Sequence, residues 1–84
     1  MFYTYVLLSK KDNKSHIGFT NDLKRRFDEH RRGKVFATKN RRPLILVYYE
    51  ACLNEKDAIK REKYFKKRGG KIKLRYILNI LNRA

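Results

Sequence analysis

The chain has 84 residues, enough for one domain with one small core and short of the usual length for two. Hydrophobic residues make up 42% and aromatics 13%, which excludes a disordered polycation. Against 8 Asp and Glu stand 23 Lys and Arg, a formal net charge of +15 that repels itself in a compact state and calls for a polyanionic partner. Nucleic acid is the first reading; an anionic membrane surface or a merely solubilising, ribosomal-type basic surface are the others. No run approaches the roughly 20 apolar residues of a membrane span. The apolar run Met1 to Leu8 has no basic residues before it and no cleavage site after it, so it does not read as a signal peptide. Cys52 is the only cysteine and reads as a small buried hydrophobe, so a cytoplasmic location is expected.

In chain order, Phe2 to Leu8 is rich in aromatic and branched residues and predicts a strand. Asp12-Asn13 supplies a turn, and His16 to Phe19 predicts a second strand, closing a β-hairpin. Thr20 or Asn21 can cap a helix, Asp22 suits its first turn, and the helix should run to about Arg32 and stop at Gly33. Gly33 to Arg42 is a basic connection with few core residues, closed by Pro43. Leu44 to Tyr49 is a strand-length apolar run. Asn54 with Asp57 resembles a capping pair for a second helix lasting to about Arg68 and ending at Gly69-Gly70. From Lys71 to Asn82, the residues Ile72, Tyr76, Ile77, Ile80 and Leu81 repeat at helical spacing. The expected order is ββαβαα: an α+β class with a small three-stranded antiparallel sheet flanked by helices, residues 1–84 forming one domain.

Some residues fit a bland core poorly. In the first helix Leu23, Arg26, Phe27 and His30 fall at i, i+3, i+4 and i+7, which puts an Arg and a His on or beside the stripe that docks on the sheet. Lys24, Arg25, Arg31 and Arg32 make the rest of that helix basic, so a general phosphate-facing surface explains part of the pattern. In the second helix Ala58, Ile59, Glu62 and Phe65 share a stripe that Glu62 interrupts. A half-buried carboxylate is costly unless a cation compensates it. Either an arginine forms a salt bridge with it or it holds a magnesium-like ion, which commonly uses one or two protein carboxylates. Tyr5 and His16 belong to the paired strands, where a phenol and an imidazole bracket an attacking water or simply pack. Gly18 lets a backbone or a phosphate come close. The two histidines and one cysteine give no zinc-finger spacing, and no P-loop is present.

Taken together these residues resemble the GIY-YIG superfamily. Thr4-Tyr5-Val6 stands where its first tripeptide belongs and His16-Ile17-Gly18 where the second does. Arg26 and His30 lie at the helical offsets the family uses, and Arg61-Glu62 matches its Arg followed by a metal-binding Glu. Gly18-Phe19-Thr20-Asn21-Asp22-Leu23, Arg41-Arg42-Pro43 and Ala58 to Glu62 are similar to small stand-alone bacterial members, related to the N-terminal nuclease domain of the excision-repair incision subunit. The resemblance spans roughly residues 2 to 75. It departs at His16, where relatives carry a second Tyr, and the structural Asn of larger relatives has no clear match.

The resemblance implies a metal-dependent endonuclease acting on DNA phosphodiester bonds in repair or processing. Tyr5, His16, Arg26, His30 and Glu62 would be catalytic, with Glu62 holding one Mg²⁺ or Mn²⁺. Gly18, Lys24, Arg25, Arg31, Arg41 and Arg42 would contact the nucleic acid. The alternative is a non-catalytic basic module, binding DNA or RNA, that keeps the fold. A protein partner for targeting fits either reading.

Overall fold

The computed structural model describes residues 1–83 and their side chains except those of residues 68 and 80–83. Strands β1 (Phe2–Ser9), β2 (Ser15–Thr20) and β3 (Leu44–Cys52) form one antiparallel sheet in the order β2-β1-β3. Helices α1 (Leu23–Arg31), α2 (Glu55–Lys66) and α3 (Arg68–Arg83) complete the expected order, with one tight helical turn, Lys39–Arg41, before β3. The chain is thus α+β, ββαβαα, as its patterning requires.

The sheet is covered on both faces, which explains why β1, its central strand, reads as a continuous apolar run. Tyr5 and Leu7 point to one face and pack with Leu44, Leu23, Phe27 and Leu46, so α1 lies there. Val6 points to the other and packs with Ile17, Phe65 and Leu74 from β2, α2 and α3. Thr4 shares that second face and donates from Oγ1 to the carbonyl of Ala58, 2.9 Å away. Opposite β1, the register of β3 jumps between Tyr48 and Leu46, leaving Val47 as an extra residue in a bulge.

Several local details differ from the sequence expectation. The α1 cap is Asp22, whose carboxylate accepts from the Arg25 amide, rather than Thr20 or Asn21. Thr20 instead holds the Asp22 amide at 3.1 Å. Strand β3 continues past Tyr49 to Cys52 because Glu50 does not end it: its carboxylate takes a hydrogen bond from the Tyr48 hydroxyl at 2.9 Å and an ion pair from Arg61 at 2.7 Å. Cys52 is half-buried rather than buried.

The largest difference is at Gly69-Gly70. These residues do not terminate α2, which ends at Lys66; they form the first turn of α3. A Cβ on Gly70 would run into the Tyr64 carbonyl, so glycine permits the α3 backbone to rest on the last turn of α2. Leu74 is buried and Ile77 and Leu78 pack on the core, whereas Ile72 and Tyr76, expected inside, are 60% and 65% exposed. The expected side chains of Ile80 and Leu81 lie outside the described residues.

Candidate active site

The α1 face of the sheet holds the chemistry. Tyr5 lies directly opposite Gly18 across the β1–β2 pair, and Leu7 opposite His16, so the Tyr5 and His16 side chains emerge on one face. The Tyr5 ring lies across Gly18, where a Cβ would sit only 2.5 Å from the phenolic oxygen. The close approach that Gly18 permits is therefore, first of all, that of Tyr5.

Helix α1 delivers the partners. His30 is completely buried, and its Nε2 lies 2.9 Å from the Tyr5 hydroxyl. Its Nδ1 lies 2.7 Å from Oγ1 of Thr38, a residue equally buried. The His16 ring packs at 5.1 Å from the His30 ring, and Tyr5 meets His30 edge-on at 5.7 Å. One turn earlier on α1, Arg26 places its guanidinium beside the Tyr5 oxygen, and Glu29 steadies it through a 3.2 Å ion pair. His16 is half-buried and the Arg26 side chain 39% exposed, so these two open towards solvent while Tyr5 and His30 stand behind them.

The electrostatics follow from this packing. Burial, then the charge of neighbouring His16 and Arg26, lowers the His30 pKa to about 4, so its imidazole is neutral at pH 7. Burial, with Arg41, Lys66 and Arg26, also pushes His16 below the ordinary histidine range. Burial raises the Tyr5 phenol, and the Arg26 guanidinium opposes that shift without cancelling it. At neutral pH the cluster holds two uncharged imidazoles, a protonated phenol and one fixed cation.

Glu62 approaches from α2. It shares the inward stripe with fully buried Ala58 and Phe65, its own side chain is 17% exposed, and it pairs with Lys66 at 3.4 Å. Among the described residues no arginine takes it: the adjacent Arg61 turns to Glu50 and lies over Phe65, 4.5 Å from the ring centre. The Glu62 carboxylate is near enough to Tyr5 to raise its pKa, as Lys66 is near enough to His16 to lower that one. The helix thus reaches the same corner as the strand residues. Among the described residues no three His, Cys, Asp or Glu converge as a metal cage. A lone carboxylate suits a hard ion that draws the rest of its shell from water and phosphate, such as Mg²⁺ or Mn²⁺, and does not suit zinc.

The basic residues surround this corner unevenly. Lys24 lines a cleft of about 520 Å³ with Tyr3, Phe27, Leu46 and Tyr49, and Arg25 and Arg26 line one of about 330 Å³ with Phe2 and Phe19. Both clefts flank the start of α1 and sit beside the Tyr5–His30 cluster rather than within it. Arg31 pairs with Asp28 at 2.6 Å. Arg41 is engaged by Asp12 at 2.8 Å and by the Lys14 carbonyl at 3.1 Å, which ties the β1–β2 turn to the connection before β3. Arg42 bonds the Lys39 carbonyl at 3.0 Å and lies against Gly33. The sequence reading missed Thr38. The signal was an uncharged Val35-Phe36-Ala37-Thr38 run inside a cationic connection.

Comparison with known proteins places the chain in a family. The family model described as the GIY-YIG catalytic domain matches residues 1–75. The UPF0213 protein in the ldhD 5' region of Pediococcus acidilactici is 41% identical over 81 residues, covering 93% of this chain and 82% of the relative. The UPF0213 protein YazA of Bacillus subtilis is 39% identical over 74 residues, covering 87% and 75%. The solution NMR structure of a UPF0213 protein from Bacillus halodurans superposes with a TM-score of 0.57 at 32% identity, covering 92% of this chain and 85% of that one. The chain belongs to the GIY-YIG catalytic-domain family, a family of nucleases, and is similar throughout to its small UPF0213 members.

Proposed function

We propose that the protein is a divalent-metal-dependent endonuclease that hydrolyses DNA phosphodiester bonds, working in the cytoplasm in repair or processing of DNA. The observation that carries this reading is the convergence of Tyr5, His16, Arg26 and His30 on one sheet face, with Glu62 brought to the same corner by α2.

The chain's own groups divide the work. His16 is neutral at pH 7, half-buried and open to solvent, so it is the imidazole able to take a proton from water. Tyr5 retains its proton at that pH and positions the water. His30 is buried and acts through Tyr5, holding the phenol where Gly18 makes room for it. Arg26, with one guanidinium edge on Glu29, faces charge that develops on the phosphate. Glu62 would hold Mg²⁺ or Mn²⁺, which when bound supplies Lewis-acid stabilisation of the phosphate and of the leaving oxygen. Lys24, Arg25, Arg31 and Arg42 present cations to the backbone of the nucleic acid. Arg41, held by Asp12, contributes field more than direct contact.

The test is nicking of supercoiled plasmid by the purified protein with Mg²⁺, with Mn²⁺ and with chelator. Nicking that needs either ion is expected. Tight, salt-sensitive DNA binding without nicking under any of the three conditions would favour the non-catalytic module, whose specific motive is His16 in place of the family's second tyrosine.

A further inference from the structure

We propose that Thr38 is a positioning residue that fixes the tautomer of His30, so that the ring carries its proton on Nε2 and donates it to the Tyr5 oxygen. The catalytic consequence rests on the nuclease reading above; the tautomer itself does not.

Thr38 is completely buried, and every polar group on it must find a partner inside the protein. Its amide donates to the Val35 carbonyl at 3.1 Å, and its carbonyl accepts from the Arg41 amide at 2.9 Å. Its place before the turn Lys39–Arg41 is a helix N-cap, where a threonine hydroxyl ordinarily accepts from the amides of that turn, yet it makes no such bond. Among the described residues the bond of Oγ1 is to His30 Nδ1, at 2.7 Å.

A threonine hydroxyl has one hydrogen to place. With Nδ1 as its partner, Oγ1 donates and Nδ1 accepts. A neutral imidazole whose Nδ1 accepts carries its hydrogen on Nε2. That nitrogen lies 2.9 Å from the Tyr5 oxygen, so His30 donates and the phenol accepts. Arg26, which has donors only, approaches the same oxygen. With His30 donating, the phenol's own hydrogen turns away from His30, towards the side where His16 and Arg26 open to solvent. Thr38 thereby sets the direction of the chain Thr38→His30→Tyr5: Tyr5 offers a hydrogen bond outward and does not spend it on the buried histidine. In the opposite tautomer the phenol would point its hydrogen inward at Nε2, and Thr38 would be left with an unpaired buried hydrogen.

The decisive experiment is long-range proton–nitrogen correlation NMR on the ¹⁵N-labelled protein, with plasmid nicking measured on wild type, Thr38→Val and Thr38→Ser. Expected in wild type is a His30 spectrum with Nδ1 unprotonated and Nε2 protonated. Thr38→Val keeps the shape and loses the hydroxyl. It should lose the single-tautomer signature and lower kcat by about 10–100-fold, the scale seen when other functional imidazoles lose their orienting partner, with KM unchanged. Thr38→Ser should restore both. A wild-type Nδ1 that carries the proton overturns the proposal, as does a Thr38→Val protein with unchanged spectrum and unchanged kcat. Should Thr38→Val fail to fold, the wild-type spectrum and Thr38→Ser still decide. A wild type that cuts no DNA defeats the nuclease reading alone, because the spectrum reports the tautomer without cleavage.

Discussion

Strand β1 serves two environments at once, and they differ in how they use burial. On the α2–α3 side Val6, Ile17, Phe65 and Leu74 fill the space with apolar atoms, and Thr4 is absorbed by its bond to the Ala58 carbonyl. On the α1 side Tyr5, His30 and Thr38 are just as deeply buried and are joined by hydrogen bonds at 2.9 and 2.7 Å. A buried polar atom costs stability unless it finds a partner, so an interior built this way is a poor route to stability alone. The α2–α3 face anchors the fold almost wholly through apolar packing, whereas the α1 face sets beside its own apolar cluster of Leu7, Leu44, Leu23, Phe27 and Leu46 a hydrogen-bonded array that opens to solvent at His16 and Arg26.

If the faces are separate in this sense, damage to each should read out differently. Phe65→Ala removes the largest side chain buried on the anchoring face and should cost about 3–5 kcal/mol of stability. Denaturant unfolding measures it, and cleavage per folded molecule should be little changed. Arg26→Ala does the reverse. A single positioned donor at a developing charge is worth about 10²–10³ in rate, whereas one phosphate contact among 23 basic residues is a small part of binding. Comparable, modest losses in rate and affinity would make Arg26 part of the general basic surface.

The third effect belongs to the α1 face yet reads out as stability. His30 titrates at about 4 in the folded chain against 6.5 as the ordinary value. Between those values the unfolded state binds the extra proton, so stability rises with pH across that window. The His30 contribution is fully present above about pH 6.5 and is lost as pH falls towards 4. It is on the order of 3 kcal/mol. His30→Gln should flatten the stability profile between those pH values, which urea titrations at several pH values will show. The smallest effect concerns His16. Its lowered pKa means that neutral imidazole is present before pH 6.5 is reached, so the rate should level off below that pH. A pH profile unchanged in His16→Phe would remove His16 from the chemistry.

How much of this was legible in the sequence depended on range. Arg26 and His30 were visible because helical periodicity puts them beside Leu23 and Phe27, and the structure packs that stripe on the sheet. Glu62 was visible for the same reason. The face of α3 was not: Tyr76, Ile77 and Leu78 are consecutive apolar residues, so two stripes fit equally well. Which stripe is buried follows from how α3 docks on the core, where Gly70 sits against α2, a tertiary contact no period reveals. Strand β3 looked finished at Glu50 because the partners that neutralise it, Tyr48 and Arg61, come from its own strand and from a helix eleven residues on. Thr38 was hidden most completely. Its role lies in a contact across a loop of irregular backbone, where no period exists to reveal it.

Glu62→Gln tests the central claim most directly, because Gln keeps the size and removes the charge that would hold a cation. Plasmid nicking with Mg²⁺ or Mn²⁺ should be lost, while DNA affinity and melting temperature stay near wild type, since the ion pair removed among the described residues is the exposed i,i+4 contact with Lys66 at 3.4 Å. Cleavage that persists in Glu62→Gln alongside a lowered melting temperature would contradict the account and return Glu62 to a structural role.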